Sequence, residues 1–263
     1  MLFRSVTRSV FDAYFCDPRY RPSLIQQELV AAGWLGRKTG RGFYEYGTAA
    51  PKPVSISLAS GPKPEFVIVE GDLGPAEALV DAMKGAGLQI ERQTGNGFIR
   101  VPGATLALSD GRMASERIAR GDPDNLILFD LALDYGSTKR IAIAKSNKAP
   151  ETAITAAVGF FGVLGKTVSL VDDVPGLIVM RTVVMIANEA IEALRQGVAC
   201  GTDIDRAMIL GVNYPRGPLE WAELIGCDLV LKVLDNLQAA YGDDRYRSSL
   251  LLRRKSAVLR SWQ

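Results

Sequence analysis

The residues whose types and spacing most clearly suggest a binding site lie in a glycine-containing loop, V-E-G-D-L-G. This loop follows an apolar run and precedes a helical pattern. This is the setting of the phosphate-binding loop G-x-G-x-x-G of dinucleotide-binding proteins. Gly71 and Gly74 match its second and third glycines, and Glu91 lies about 20 residues on, where an acidic residue holds the ribose hydroxyls. Val69, however, replaces the glycine of the tight turn, and Asp72 adds negative charge where a pyrophosphate would lie. Gly71, Gly74 and Glu91 are the candidate cofactor-binding residues, but we interpret the loop as part of an eroded sheet that is kept for packing.

The inventory of reactive side chains is short. General acid–base chemistry near neutral pH most often uses histidine, and the chain contains none. Its three cysteines, Cys16, Cys200 and Cys227, form no CxxC pair and show no metal-ligand spacing. The sequence therefore predicts neither a metal site nor a disulfide framework, and reduced cysteines favour a cytoplasmic location.

Charge and hydropathy exclude two classes of partner. The formal net charge of +2 lacks the concentrated basic excess of a nucleic-acid-binding protein. The apolar run at residues 168–191 is interrupted by Asp172, Asp173 and Arg181, which is not the pattern of a membrane span. We therefore expect neither nucleic acid nor membrane as a partner.

Composition divides the chain into four parts. Residues 1–50 are typical of helical pieces that end in a glycine-rich turn, and residues 51–64 form a linker rich in Pro, Ser and Ala. Residues 65–174 alternate apolar runs with amphipathic segments, which predicts strands and helices in a mostly parallel sheet. Residues 175–263 carry no further strand pattern, and a long apolar helix opened by Pro175 begins an all-α domain. The predicted fold class is α/β plus all-α.

One short segment occurs twice, as DPRYRPSLI at Asp17–Ile25 and as DDRYRSSLL at Asp243–Leu251. Two copies at such a separation indicate a duplicated domain and not a short-period repeat array. Because the first copy is preceded by only a few residues, we expect the chain to be the rear part of a longer protein with two copies.

Several segments resemble a known family. The stretches LGKTVSLVDDVPGLIVMR, NEAIEAL and NYPRGPLEWAELIG resemble the C-terminal domain of NAD-dependent 3-hydroxyacyl-CoA dehydrogenases, of the 3-hydroxybutyryl- or 3-hydroxyadipyl-CoA type. Residues 17–46 look like the end of the same domain in another copy, and the middle of the chain looks like a reduced Rossmann-like domain. The resemblance implies a helical first tail, a reduced Rossmann-like α/β domain and a helical C-terminal domain. It also implies a role in fatty-acyl or aromatic-acid catabolism.

The resemblance also carries expectations for catalysis. In this family a complete Rossmann domain binds NAD, a His–Glu pair removes the hydroxyl proton, and an Asn in a V-N-R context assists. The His position falls on Asp130, the Glu position on Ala142 and the Asn position on Met180. All three functional residue types are therefore replaced, and we expect no catalytic residue in this chain.

We therefore interpret the chain as the C-terminal portion of a 3-hydroxyacyl-CoA dehydrogenase. It would supply walls of the acyl-CoA cleft and an assembly interface, form a homodimer and be inactive alone. NAD would serve the complete enzyme, and we expect no cofactor for this chain alone. One alternative is a stand-alone, non-catalytic acyl-CoA-binding or assembly module. A second alternative is a dehydrogenase that uses Asp130 as its base, which the missing histidine argues against.

Overall fold

The computed structural model describes residues 2–47, 50, 57–58 and 60–258. The chain divides into two compact units. The first unit comprises Met1–Ser55 and Asp243–Tyr246, and the second comprises Ile56–Gly242 and Arg247–Gln263.

The first unit contains both copies of the repeated turn. It includes helices α1 (Leu2–Ala13) and α2 (Leu24–Ala31) and 3-10 turns at Pro18–Tyr20, Arg37–Thr39 and Asp244–Tyr246. The carboxylate of Asp17 accepts the backbone N–H of Arg19 at 2.9 Å, and that of Asp243 accepts the backbone N–H of Arg245 at 2.9 Å. The two copies thus fold into the same aspartate-capped turn, and the two turns contact one another.

The second unit is built on a seven-stranded sheet with the order β2-β1-β3-β4-β5-β6-β7. Four strands (β1, β2, β4 and β5) run in one direction, whereas β3, β6 and β7 run in the other, so half of the neighbouring pairs are antiparallel. The predicted mostly parallel sheet is therefore a mixed sheet. The strands are β1 (Phe66–Glu70), β2 (Gln89–Gln93), β3 (Phe98–Val101), β4 (Ala104–Leu108), β5 (Leu126–Phe129), β6 (Arg140–Lys145) and β7 (Thr167–Leu170).

Helices cover both faces of this sheet. The helices α3 (Ala78–Gly85) and α5 (Glu151–Val163) pack on one face, where Leu79, Met83 and Phe160 join the larger apolar core. The short helix α4 (Ala114–Ala119) and Leu177 cover the other face. Strand β5 is buried along its whole length, which explains its continuous apolar sequence.

The rest of the second unit is helical. The helix α6 packs against α8, α9 and α10 through a face that repeats at helical spacing and includes Met180, Val184, Asn188 and Ile191. The helices are α6 (Val179–Arg195), α7 (Gly201–Val212), α8 (Pro218–Ile225), α9 (Cys227–Tyr241) and α10 (Leu250–Val258). In the part of the chain that is described, no helix combines the length and the apolar character needed to cross a membrane.

The long helix begins later than Pro175, from which the sequence predicts it. Gly176 and Leu177 have φ of +72° and +50°, in the left-handed region, and the α-helix starts at Val179. This tight turn brings the first N–H groups of α6 to the end of β5.

Candidate functional site

The glycine loop lies at the end of β1, but the chain's own backbone fills the space beside it. Gly71 has φ of +68°, and its N–H donates to the carbonyl oxygen of Gln93 at 2.8 Å. A Cβ on Gly71 would lie 2.2 Å from the carbonyl oxygen of Gly95. The glycine is therefore needed for the close approach of the β2–β3 turn, which packs directly against the loop.

The N–H groups at the start of the following helix also have partners. The N–H of Gly74 donates to Asp72 Oδ1 at 2.7 Å, and that of Leu73 donates to Glu77 Oε2 at 3.3 Å. Anion sites at a helix start depend on N–H groups that point at the ligand. Here two carboxylates of the chain already accept hydrogen bonds from these N–H groups, so the loop does not fit the pyrophosphate of NAD.

Glu91 and Val69 lie apart from any such site. Glu91 is exposed in the middle of β2, and its carboxylate accepts the side-chain amide of Gln93 at 2.8 Å. Val69 is fully buried in the core of the sheet. Gly71 and Gly74 share one loop, but Glu91 does not join them in a cradle for a ribose.

Asp130 caps the long helix. Its side chain is 1% exposed at the end of β5 and accepts four backbone N–H groups. Oδ2 binds Ile178 at 3.0 Å and Val179 at 2.7 Å, and Oδ1 binds Leu131 at 2.9 Å and Met180 at 2.9 Å. A carboxylate at a helix N-terminus satisfies N–H groups that would otherwise be unpaired and interacts favourably with the helix dipole.

The electrostatics of Asp130 combine two opposing effects. Burial raises its pKa above the ordinary value, and the bonds from Met180, Val179, Ile178 and Leu131 restrain that rise because they stabilise the anion. A general base must reach the proton that it removes, but this carboxylate is enclosed and saturated by backbone donors. Asp130 is therefore a structural cap in this fold.

The structure brings together the three positions that the resemblance singled out. The N–H of Asp130 donates to the carbonyl oxygen of Ala142 on β6 at 3.0 Å, and the N–H of Met180 donates to Asp130 Oδ1. Ala142 and Met180 contribute a methyl group and a thioether, neither of which exchanges protons. The cluster holds β5, β6 and α6 together and has no acid–base pair.

A second aspartate network, which the sequence did not reveal, joins the sheet to α9. Asp110 follows β4, pairs with Arg112 and lies 3.1 Å from Lys232 Nζ, and its carbonyl oxygen accepts Asn236 Nδ2 at 2.8 Å. Burial opposes ionisation of Asp110, but Arg112, Arg117 and Lys232 outweigh burial and lower its pKa.

These residues border a cavity of about 380 Å³ at the carboxyl ends of β1 and β4. Its lining also includes Leu73, Phe98, Leu108, Arg117 and Leu229. Ligands of open α/β sheets bind at this edge, but here Asp110 and Asp122 already pair with the arginines of the cavity.

Asn188 is a further buried polar residue that the sequence did not single out. It lies on α6, is 1% exposed and binds the second copy of the repeat through both ends of its amide. Nδ2 donates to the carbonyl oxygen of Arg247 at 3.0 Å, and Oδ1 accepts the N–H of Ser249 at 2.8 Å. One turn on, Glu192 accepts the hydroxyl of Ser249 at 2.8 Å and pairs with Arg195, which lowers the pKa of Glu192 to about 2. Asn188 lies in the NEAIEAL segment that carries the family resemblance, but no local sequence pattern indicates what its side chain binds.

Two family models match most of the chain. The 3-hydroxybutyryl-CoA dehydrogenase reduced Rossmann-fold domain matches residues 106–175. The 3-hydroxyacyl-CoA dehydrogenase C-terminal domain matches residues 2–46 and again residues 176–259. The same domain type is thus recognised at both copies of the repeat.

Individual relatives agree with these matches. The chain is 35% identical over 254 residues to the 3-hydroxyadipyl-CoA dehydrogenase of Escherichia coli K12, covering 97% of this chain and 48% of that protein. A probable 3-hydroxybutyryl-CoA dehydrogenase of Bacillus subtilis is 42% identical over 91 residues, which is 35% of this chain and 32% of that protein.

A crystal structure of 3-hydroxybutyryl-CoA dehydrogenase from E. coli K12 matches with a TM-score of 0.78 and 34% identity, covering 97% of this chain and 48% of that one. The chain therefore spans about half the length of this relative and less of the Bacillus one. With its reduced Rossmann domain and helical C-terminal domain, the chain belongs to the 3-hydroxyacyl-CoA dehydrogenase family.

Proposed function

We propose that this chain works as a structural portion of an NAD-dependent 3-hydroxyacyl-CoA dehydrogenase. The complete enzyme would oxidise a 3-hydroxyacyl-CoA to the 3-oxoacyl-CoA, with NAD bound outside the described loop. The relatives are a 3-hydroxyadipyl-CoA dehydrogenase and a probable 3-hydroxybutyryl-CoA dehydrogenase, which supports this substrate class. This chain would contribute helical walls of the acyl-CoA cleft and an assembly interface.

The observation that carries the proposal is the use of Asp130 as a helix cap. Oxidation of a secondary alcohol needs a base within hydrogen-bond reach of the hydroxyl. Asp130 is enclosed by four N–H donors, and its neighbours Ala142 and Met180 supply no substitute. The base of the complete enzyme must therefore come from elsewhere.

The same contacts suit a rigid wall. Asp130 ties α6 to β5 and β6, and Asp110 ties α9 to β4 through Lys232 and Asn236. Helices fixed in this way hold their surface in one geometry, which is what positioning a flexible acyl chain requires.

The proposed assembly is a homodimer through the helical domain. On the described part of α7, Leu210 is 69% exposed and Val212 is 52% exposed, and Leu224 on α8 is 54% exposed. Apolar side chains at the surface are typical of interaction sites when they lie together.

The experiment is an assay of the full chain with two readouts. NADH formation is followed at saturating NAD with 3-hydroxybutyryl-CoA and 3-hydroxyadipyl-CoA, and acyl-CoA binding is measured by calorimetry without NAD. We expect no NADH and saturable binding of acyl-CoA. NADH formation that disappears in Asp130→Asn would contradict the proposal, provided that circular dichroism shows the variant to be folded. Absence of both activities would favour the assembly module.

A further inference from the structure

The cavity at the carboxyl ends of β1 and β4 is bordered by polar groups that the chain itself does not satisfy. The hydroxyl of Ser109 is fully buried and has no hydrogen-bond partner within the described residues. The next residue, Asp110, is 5% exposed, and no hydrogen bond in the described part of the chain involves its backbone N–H. Both residues line the cavity. Because buried polar groups rarely lack a partner, two adjacent ones indicate a place for a bound molecule.

The charges around Asp110 leave one positive charge uncompensated. The carboxylate pairs with Arg112 and lies 3.1 Å from Lys232 Nζ, so two cations share one anion. A third cation of the lining, Arg117, has its own partner in Asp122. Burial raises the pKa of Asp110, but the three cations together lower it below its ordinary value, which is the effect of a positive surplus. The cavity therefore suits a ligand with a single negative charge.

The remaining walls of the cavity are largely apolar. Phe98 and Leu73 are buried in its lining, and Leu229 lines it from α9. The carboxylate of Asp72, which also lies there, is bonded to the N–H of Gly74 at 2.7 Å. A volume of about 380 Å³ is at the lower end of the range for ligand sites. Unpaired polar groups, one surplus positive charge and apolar walls together match a carboxylate on a short hydrocarbon chain.

We propose that this cavity binds the carboxylate of a short-chain organic acid. The carboxylate accepts hydrogen bonds from the hydroxyl of Ser109 and the N–H of Asp110 and balances the charge of Lys232. The hydrocarbon chain lies against Phe98 and Leu229. An acid in this position contacts both the end of β4 and the helix α9, so its binding stabilises their contact. This site is separate from the acyl-CoA cleft of the proposed function, and its ligand is the free acid.

The probe is hexanoate, titrated into the full chain and followed by calorimetry. Hexanamide is the matched control ligand, because it has the same shape without the charge. We expect saturable binding of hexanoate and at least about tenfold weaker binding of hexanamide, since hydrogen bonds to a charged group are the stronger ones. Inorganic phosphate, which has charge but no hydrocarbon chain, should also bind at least about tenfold more weakly than hexanoate.

Two variants of the chain locate the ligand. Ser109→Ala removes a hydroxyl without a partner in the described residues, so the affinity for hexanoate should fall about threefold to tenfold while the thermal midpoint of the ligand-free chain stays unchanged. Lys232→Met removes an exposed cation and should weaken binding by about threefold, a smaller effect because solvent reaches this side chain. Lys84→Met is the control, because Lys84 pairs with Asp81 outside the cavity lining, and it should bind hexanoate as the wild type does.

Absence of saturable hexanoate binding would mean that the cavity holds only water and would overturn the proposal. Equal binding of hexanamide or of phosphate would overturn it as well, and so would unchanged affinity in both Ser109→Ala and Lys232→Met. The titration contains neither NAD nor acyl-CoA. Its failure therefore leaves the proposed function standing, and absence of acyl-CoA binding in the assay of that function leaves this site standing.

Discussion

The carboxylate of Asp130 accepts the backbone N–H of Met180 at 2.9 Å, which joins the end of β5 to the first turn of α6. Both residues occupy positions where the resemblance expects catalytic groups. In this chain their relationship is that of a cap to its helix, and the contact links the sheet to the first turn of α6.

Removing this cap should destabilise the fold. Asp130→Ala leaves the N–H groups of Ile178, Val179 and Met180 without their acceptor in a buried place, and we expect a loss of about 2–4 kcal/mol in the free energy of unfolding. Urea denaturation measures it. Asp81→Ala, which removes an exposed carboxylate paired with Lys84, is the control and should change little. Equal stability of the two variants would show that the cap is dispensable.

The β2–β3 turn should make Gly71 intolerant of a side chain. Gly87 has the same φ of +68°, but a Cβ there would meet nothing within 4 Å, whereas a Cβ on Gly71 would meet the carbonyl oxygen of Gly95 at 2.2 Å. Gly87→Ala should therefore show only the left-handed strain of about 1 kcal/mol. Gly71→Ala should lose about 1–3 kcal/mol beyond that because the turn must move. Thermal denaturation of the pair checks this, and indistinguishable midpoints would mean that the turn yields freely.

The contacts of Glu192 with Ser249 and Arg195 should make the free energy of unfolding depend on pH in the acidic range. Arg195 and Ser249 lower the pKa of Glu192 from 4.5 to about 2 in the folded chain. The stabilisation from this carboxylate is complete above the unfolded-state pKa and is lost as the pH falls from about 4.5 towards 2. Glu192→Gln should be less stable than wild type at pH 7 by about 1 kcal/mol, a modest figure because solvent reaches Arg195. Urea titrations should show that the difference in unfolding free energy between Glu192→Gln and wild type shrinks as the pH falls from about 5 to about 3, because the carboxylate begins to be protonated in this range. A difference that does not change with pH would rule out this cause.

Local patterns predicted the elements better than their contacts. The apolar runs of β1, β4, β5 and β6 and the periodicity of α6 are visible in the sequence, because each depends on spacing within one segment. Strand β3 was missed since F-I-R-V is short and its antiparallel pairing with β1 and β4 is a tertiary property.

The same contrast holds for the candidate site, where the sequence indicated single residues but not the contacts between them. The sequence identified the loss of the glycine at Val69, but not that Gly95 fills the space beside Gly71. The resemblance placed Asp130 and Met180 at related positions, but only the fold reveals that one caps the helix of the other. Asn188 was missed because its partners, Arg247 and Ser249, are remote in sequence.

The central claim is that the described glycine loop does not hold NAD, and a calorimetric titration of the full chain tests it most directly. NAD is raised to millimolar concentration, with the E. coli 3-hydroxyadipyl-CoA dehydrogenase as the positive control. The claim predicts no saturable heat, because Asp72 and Glu77 occupy the N–H groups of Gly74 and Leu73 and the turn at Gly95 covers Gly71. Saturable binding with a dissociation constant in the low micromolar range, weakened by Gly71→Ala, would contradict it.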